Sequence, residues 1–449
     1  MKKILLSAFI AMGATAFAQN SLVPQATKFS ANFGVDEMSI VDANTVWINA
    51  YDGSGAGTYP KQISRTTNGG ATWTAVTIPS SQIPSNCLIS DLHGIDGQTA
   101  YLIAAVATAP VSNNGIWKTT NGGTTWTKQT SGFGGSSDSF ANQIHFWDAN
   151  NGWAAGDPVN GKFEMYKTSN GGTTWTAVAS APTPIAGQGT EFSYVGVKDV
   201  VGDNIWIGTD LGRILHSSDR GTTWNAYFTP ALDFGGVTTS GSSAKMAFSS
   251  GTKGVLLTVD NTSDAALYET SDSGASWDPI EPTGPWYFGD ITYVPGTPNT
   301  YVSTGINYND DSWMGTSYSN DGGHTWIGID GGEQRGAVKF LNATTGWVGQ
   351  FSDGPAGTKG ILKFNGSVLA ASDVAVKSNL KVFPNPAVDV VTVTSNKDVK
   401  KVTVYDLSGK KVSSTEGNKI NVSALSKGNY ILQVYYGNGG VENTKLIKK

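Results

Sequence analysis

Cysteine is almost absent from this sequence, since Cys87 is the single one in 449 residues. One cysteine cannot form a disulfide within the chain, so the fold must be held together without that cross-link. No arrangement of His and Asp residues around Cys87 indicates a nucleophile. A buried, unreactive cysteine within a strand is therefore the favoured interpretation.

Positive charge is also scarce. Charged residues make up 14% of the chain and the formal net charge is −5. Arginine occurs four times, at Arg65, Arg213, Arg220 and Arg335. This leaves no basic stripe that would neutralise a phosphate backbone, so we do not expect nucleic acid as a partner.

Histidine is rare and scattered, at His93, His145, His216 and His324. No cluster has the spacing of metal ligands, and no glycine-rich loop follows a strand with the spacing of a phosphate-binding loop. We therefore expect neither a metal nor a cofactor.

Long hydrophobic runs are missing except at the start. Met1-Lys2-Lys3 precedes the apolar run Ile4–Ala18, which is shorter than the roughly 20 residues of a membrane-spanning helix. A charged start and a short hydrophobic body that ends in small residues are typical of a secretory signal. We predict that residues 1–18 are a signal peptide cleaved before Gln19, and we expect no transmembrane anchor.

The sequence is rich in glycine, with 56 residues, and in copies of one octapeptide. Six copies share Ser/Thr at the first place, Asn/Asp at the third, Gly at the fifth and Trp at the eighth: Thr66–Trp73, Thr119–Trp126, Thr168–Trp175, Ser217–Trp224, Thr270–Trp277 and Ser319–Trp326. They begin 49 to 53 residues apart. Such a period, with strand-like runs on both sides of each copy, is typical of a β-propeller.

A second signature gives the number of repeats. A turn followed by an apolar strand precedes each octapeptide, and a seventh copy, Thr345–Gly349, has no intact octapeptide after it. We therefore predict an all-β fold with a seven-bladed β-propeller over residues 19–370. Because an open ring would expose an unpaired strand edge, the segment Ala26–Ala31 is expected to complete the last blade.

The octapeptide resembles the Asp-box (BNR) repeat. That repeat occurs in sialidases, sortilin-type receptors, some xyloglucan hydrolases and photosystem assembly-factor propellers. The resemblance implies that each copy lies in the outer hairpin of a blade, far from any ligand site. A sialidase is not expected, because several arginines would have to converge on the substrate carboxylate, and Arg335 alone lies outside the outer strands and the octapeptides.

The pattern changes near the end of the chain. Residues 371–379 have the composition of a polar linker, and residues 380–449 contain short alternating strands separated by turns, which predict a small β-sandwich. Four features stand out in this tail: Phe383–Pro386, Val404–Lys410, Leu425–Tyr430 and the basic end Lys445–Lys449.

In these features the tail resembles the type A C-terminal sorting domain of type IX secretion substrates. The resemblance implies that the type IX machinery is a partner. It also implies that the protein crosses two membranes and is then released or attached to the cell surface.

The innermost strands of a propeller line a central tunnel, and ligands usually bind at its mouth. Aligned by eye, the seven repeats give one column of positions on these strands: Glu37, Asp91, Gln143, Tyr194, Lys245, Asp290 and Ala337. Glu37, Asp91 and Asp290 are the candidate catalytic residues, because two carboxylates can act as acid and base on a glycosidic bond. The alternative is that they are solvated or ion-paired groups of a water-filled tunnel.

The same column supplies Tyr194 and Lys245 as candidate ligand-binding residues. Trp286 and Tyr287 are added because they lie in an aromatic loop directly before Asp290. Aromatic rings of this kind stack on sugar faces or pack between blades.

The sequence as a whole predicts a secreted or cell-surface propeller that binds a macromolecular ligand, a glycan or a protein, at the tunnel mouth. The alternative is an extracellular glycoside hydrolase that uses the carboxylates of that mouth.

Overall fold

The computed structural model describes residues 21–106, 110–185, 191–235, 242–260, 264–306, 314–368, 380–395, 398–406, 410–436 and 441–449. The predicted signal peptide and linker lie outside these residues. The chain divides into two compact units, residues 1–371 and residues 372–449. Apart from one 3₁₀ turn, Val111–Asn113, the described secondary structure is β-strand, and no described helix is long and apolar enough to cross a membrane.

The first unit is built from four-stranded antiparallel sheets, here called blades. Strand β1 (Ser21–Ala26) belongs to the last blade. Blade 1 contains β2 (Phe33–Ile40), β3 (Val46–Asp52), β4 (Gln62–Thr66) and β5 (Thr74–Thr77). Blade 2 contains β6 (Leu88–Gly94), β7 (Ala100–Ala105), β8 (Gly115–Thr119) and β9 (Thr127–Lys128). Blade 3 contains β10 (Ala141–Phe146), β11 (Gly152–Val159), β12 (Lys162–Thr168) and β13 (Thr176–Ala177).

The next three blades repeat this order. Blade 4 contains β14 (Ser193–Val201), β15 (Asn204–Thr209), β16 (Arg213–Ser217) and β17 (Asn225–Phe228). Blade 5 contains β18 (Ser243–Phe248), β19 (Gly254–Val259), β20 (Ala265–Thr270) and β21 (Asp278–Ile280). Blade 6 contains β22 (Asp290–Tyr293), β23 (Tyr301–Gly305), β24 (Gly315–Ser319) and β25 (Ile327–Gly331).

Blade 7 closes the ring. It contains β26 (Val338–Asn342), β27 (Thr345–Gly349) and β28 (Gly360–Asn365), and its outermost strand is β1, paired from Ser21↔Asn365 to Ala26↔Gly360. The first strand of each blade contacts the first strand of the next blade, and β2 contacts β26. These contacts confirm the predicted seven-bladed propeller. The closing strand lies earlier than the predicted segment Ala26–Ala31, with which it shares Ala26 alone.

Each octapeptide forms the turn between the third and fourth strands of its blade. In the second copy, Thr119 Oγ1 accepts the N–H of Gly123 at 3.0 Å, and Asn121 Oδ1 accepts the N–H of Thr125 at 3.0 Å. Gly123 has a φ of +87°, and a Cβ there would lie 2.6 Å from the side chain of Ile63 in blade 1. The glycine is therefore required both by the turn and by the close packing of adjacent blades.

Basic side chains link blades to the octapeptide of the next blade. The Lys118 ammonium lies 5.1 Å from the ring centroid of Tyr101 and donates to the carbonyl of Gly171 at 3.0 Å. Lys363 in blade 7 donates in the same way to the carbonyl of Gly69 in blade 1 at 2.8 Å. An ammonium that stacks on an aromatic ring and also donates a hydrogen bond joins two blades with one side chain.

Gln25 of the closing strand joins the two ends of the ring. Its Oε1 accepts the indole N–H of Trp73 in blade 1 at 3.1 Å and that of Trp347 in blade 7 at 3.2 Å. Both indoles are buried, with 6% and 0% of their surfaces exposed. One amide oxygen therefore satisfies two buried donors that belong to different blades.

We predict that Gln25→Leu lowers the stability of the propeller by about 2 kcal/mol or more, because two buried indole N–H groups lose their acceptor. Thermal and denaturant unfolding measure the change. Gln98→Leu, at an exposed position of blade 2, is the matched control and should unfold like the wild type. A Gln25→Leu protein as stable as the wild type would show that ring closure does not depend on this amide.

The second unit contains two sheets. The first has the order β29 (Lys381–Phe383), β30 (Val390–Thr394) and β33 (Lys419–Asn421). The second has the order β32 (Lys411–Glu416), β31 (Val399–Tyr405), β34 (Gly428–Tyr436) and β35 (Val441–Lys448). Val391 and Ile420 of the first sheet share one buried core with Val402 and Leu432 of the second. This arrangement confirms the predicted small β-sandwich.

Candidate functional site

Two cavities of about 400 Å³ each lie along the central tunnel. The upper cavity is at the end where the innermost strands begin, and its polar lining includes Asp36, Glu37, Tyr51, Lys245 and Asp290. The lower cavity is at the end where these strands finish, and its lining includes Ser39, His93, His145 and Tyr293. Five residues border both cavities: Met38, Lys198, Asp199, Thr292 and Lys339.

Two ion pairs lie between the cavities. Lys339 Nζ is 3.5 Å from Glu37 Oε2, and Lys198 is paired with the fully buried Asp91. Glu37 extends from blade 1 towards blade 4, where a Cβ added to Gly196 would lie 2.1 Å from its Oε1. We call these two ion pairs, Glu37–Lys339 and Asp91–Lys198, the ion-pair floor, because both lysines border the upper cavity and the lower one.

Three aspartates connect neighbouring innermost strands. Asp290 Oδ1 accepts the N–H of Ile291 at 2.9 Å, and its Oδ2 accepts the N–H of Val338 in blade 7 at 3.0 Å. Asp91 makes the same two bonds, accepting the N–H of Leu92 in its own strand and that of Ile144 in blade 3. Asp199 in blade 4 accepts the N–H of Val200 and that of Phe248 in blade 5. We call these three residues the aspartate clamps. Because both oxygens of each are bonded to amides, their first role is structural.

Burial determines how these groups ionise. It raises the pKa of Asp91 and of Asp290, and it raises the pKa of Asp199 to about 6, although amide hydrogen bonds and nearby lysines oppose the shift. Burial acts to lower the pKa of Lys339, but the surrounding carboxylates, Glu37 first, outweigh it and keep that pKa above its usual value. The Lys339 ammonium therefore stays charged.

Asp36 and Glu37 both line the upper cavity although they are consecutive in β2. The pairing of β2 with β3 shifts its register between Val35 and Met38, and this bulge leaves the two acidic residues outside the regular alternation. Asp36 accepts a hydrogen bond from Asn49 Nδ2 at 3.1 Å. Burial, helped by the charge of Glu37, raises the pKa of Asp36 to about 7.

Lys245 projects into the upper cavity from blade 5. Lys198 and Lys339 have carboxylate partners within 4 Å, whereas Lys245 has no hydrogen-bond or ion-pair partner among the described residues. The hydroxyl of Tyr51 likewise has no hydrogen-bond partner among the described residues. Burial, together with the negative charge of Asp36, raises the pKa of Tyr51 to about 12. The upper cavity thus contains two strong donors that no described residue satisfies.

The lower cavity contains a pair of histidines, His93 and His145, whose rings lie 4.6 Å apart. Burial lowers the pKa of His93 to about 3, and burial together with His93 places the pKa of His145 well below its usual value. Both rings are therefore neutral near pH 7. Within the described ranges, no group of three or more His, Cys, Asp and Glu side chains is arranged to hold a metal ion.

The structure brings some of the sequence-based candidates together. Glu37, Lys245 and Asp290 line the upper cavity, and Asp91 lies in the ion-pair floor. The aromatic candidates Tyr194, Trp286 and Tyr287 line neither cavity.

The contacts of these aromatic residues explain their placement. Tyr194 packs on Phe192 with ring centroids 5.2 Å apart. Tyr287 is buried and donates to the carbonyl of Asp330 at 3.3 Å. Trp286 packs with Phe288 against the core of blades 5 and 6. As candidate ligand-binding residues, the three remain sequence-based predictions.

Sequence reasoning missed Asp36, Tyr51, Lys198 and Asp199. The alignment missed Lys198 and Asp199 in blade 4 because β14 shifts its register against β15 between Ser193 and Lys198. An aspartate followed by a branched or long aliphatic residue marks all three clamps, and that pattern was the available signal: Asp91-Leu92, Asp199-Val200 and Asp290-Ile291.

Comparison with known families concerns the tail. Residues 381–449 match the family described as "Secretion system C-terminal sorting domain". The protein is exported. The match confirms the predicted sorting domain and, with it, a destination outside the cell or on its surface.

Comparison with solved structures concerns the propeller, and no curated protein matches the chain. YCF48 from Cyanidioschyzon merolae is 16% identical over 78% of this chain and 99% of its own, with a TM-score of 0.52. The GH74 xyloglucanase from Xanthomonas campestris is 11% identical over 95% of this chain and 74% of its own, with a TM-score of 0.50. At such identities the likeness shows the β-propeller fold alone.

We predict that Asp290→Asn lowers the stability of the propeller by about 1–3 kcal/mol, because the new amide nitrogen faces a buried backbone N–H that loses its acceptor. Denaturant unfolding measures the loss. Asp278→Asn changes an exposed aspartate on the outer strand of blade 5 and should leave the stability unchanged. Equal stability of both variants would contradict a clamping role for Asp290.

Asp36 should make stability depend on pH. Its pKa is about 7 in the folded protein and near 4 in an unfolded chain, so its stabilising contribution is complete below about pH 4 and is lost as pH rises through about 7. Relative to the wild type, Asp36→Asn should therefore become more stable as pH rises from 5 to 8. The comparison cancels the opposite effect of the neutral histidines, which both proteins share. Melting temperatures measure the difference, and a difference that stays constant with pH would show that Asp36 does not titrate in this range.

Proposed function

We propose that this exported propeller binds a macromolecular ligand in the upper cavity. The observation that carries the proposal is a pair of donors in the cavity lining, the Lys245 ammonium and the Tyr51 hydroxyl, neither of which has a hydrogen-bond partner among the described residues. Neither residue is fully buried, so water reaches both donors in the free protein, and a ligand that supplies an acceptor would take the place of that water. The other two lysines of the cavity lining, Lys198 and Lys339, are engaged in the ion-pair floor.

We infer that the six octapeptides are Asp-boxes that serve the fold. Their Ser/Thr hydroxyls accept the same glycine N–H in every copy: Gly70, Gly123, Gly172, Gly221, Gly274 and Gly323. This uniform hydrogen bonding supports a structural role. The variable residues of the innermost strands, rather than the boxes, then select the ligand. We further propose that a signal peptide over residues 1–18 and the type IX machinery, acting on the tail, deliver the protein.

A glycoside hydrolase is the second candidate, and a specific observation favours it. Asp36, with a pKa of about 7, is suited to donate a proton, and Glu37 lies beside it in the same cavity. Against this candidate, Glu37 is engaged by Lys339 and the other tunnel carboxylates are bonded to amides. Release of reducing sugar from envelope or plant polysaccharides, lost in Asp36→Asn, would favour the hydrolase over the binding protein.

We predict that Gly336→Leu abolishes ligand binding, because a Cβ at this position of the cavity wall meets no atom closer than 3.8 Å and a larger side chain would extend into the cavity. Arrays of glycans and peptides, probed with the full chain, measure binding. Gly328→Leu, at an exposed position of β25, is the matched control. Binding that survives Gly336→Leu would place the ligand elsewhere on the protein and contradict the proposal.

A further inference from the structure

The upper cavity is dipolar. Asp36 and Glu37 come from blade 1, whereas Lys245 comes from blade 5. Blades 6 and 7 lie between blades 5 and 1 on one side, and blades 2, 3 and 4 lie between them on the other, so Lys245 faces Asp36 and Glu37 across the tunnel. Asp199 of blade 4 and Asp290 of blade 6 line the cavity on either side of Lys245. A ligand that fits offers an acceptor to Lys245 and donors to the carboxylates around it.

The charge balance limits the acceptor to a single anionic group. Lys339 and Lys198 are neutralised by Glu37 and Asp91, which leaves Lys245 as the one tunnel ammonium without a partner among the described residues. Asp36, Asp199 and Asp290 are further acidic groups in the lining. A polyanion would bring repeated negative charges against this acidic surface and would be repelled.

The non-polar lining formed by the described residues is mainly aliphatic. Tyr51 is the one aromatic side chain among them, and the apolar remainder consists of Val35, Met38, Val197, Met246, Ala247, Ile291, Ile306, Ala337 and Val338. Sugar rings are held mainly by aromatic faces, whereas an aliphatic lining suits an apolar side chain.

We infer that the upper cavity captures the carboxyl-terminal end of a peptide chain, with the terminal carboxylate at Lys245 and Tyr51 and the peptide N–H groups towards Asp36 and Glu37. The inference rests on the proposed binding function and specifies its ligand. A peptide end carries one anion, several N–H donors and a side chain, which matches the charge, the polarity and the lining of the cavity. An ammonium and a phenol that both donate to a carboxylate form the strong, charge-assisted type of hydrogen bond.

The test uses the full chain and a library of fluorescent hexapeptides of randomised sequence, made in two forms, with a free terminal carboxylate or with a terminal carboxamide. Fluorescence anisotropy measures affinity. We expect the carboxylate form of the best-bound sequences to bind at least tenfold more tightly than the amide form. Lys245→Gln should remove that preference, and Lys245→Arg, which keeps the charge, should retain most of it. Melting temperatures confirm that the variants are folded.

The outcomes are distinguishable. Equal affinity for the two peptide forms, or an unchanged preference in Lys245→Gln, overturns the inference. If glycans but no peptides bind, and Gly336→Leu abolishes that binding, the inference fails and the proposed function stands. If no probe shows binding that Gly336→Leu removes, both fail.

Discussion

The structure depends on carboxylates that bond to backbone amides between neighbouring blades. A propeller has no continuous sheet at its centre, because the innermost strand of each blade turns its backbone towards a tunnel. Asp91, Asp199 and Asp290 supply the missing partners at three of the seven junctions. A buried amide without an acceptor is costly, so these side chains hold the inner ring together and fix the shape of the cavity above it.

Carboxylates of the innermost strands also pair with lysines of the tunnel. Lys198 pairs with the clamp Asp91, and Lys339 pairs with Glu37. Ion pairs contribute little net stability whether they are exposed or buried, because screening or desolvation offsets their attraction. Their consequence here is that Lys198 and Lys339 are paired, whereas Lys245 in the upper cavity has no ion-pair partner among the described residues.

Much of the architecture could be predicted because it is repeated. The octapeptide recurs six times and the turn before each second strand seven times. This repetition reveals the period, the hairpins and the blade count even where single strands are ambiguous. The tail was predictable for a different reason, since its motifs occur in order. The closing strand was predicted five residues too late, because its pairing with Gly360–Asn365 spans the whole unit and leaves no local signal.

The candidate site was harder to predict. Glu37, Asp91, Lys245 and Asp290 were found because they fall in one column when the seven repeats are aligned on the turn before each second strand. Asp36 and Asp199 were missed because bulges in β2 and β14 change the distance between that turn and the residues that face the tunnel. Whether a carboxylate is free or bonded to an amide depends on the neighbouring blade, which sequence does not reveal.

Amide hydrogen exchange tests the clamping of the inner ring most directly. The N–H groups of Ile144, Phe248 and Val338 border a tunnel that contains water-accessible cavities, yet each donates to a clamp from the preceding blade. The account predicts that these three amides exchange about as slowly as those in the centre of a blade, where exchange requires global unfolding. Exchange as fast as that of solvent-exposed amides would show that the clamps do not form and would contradict the account.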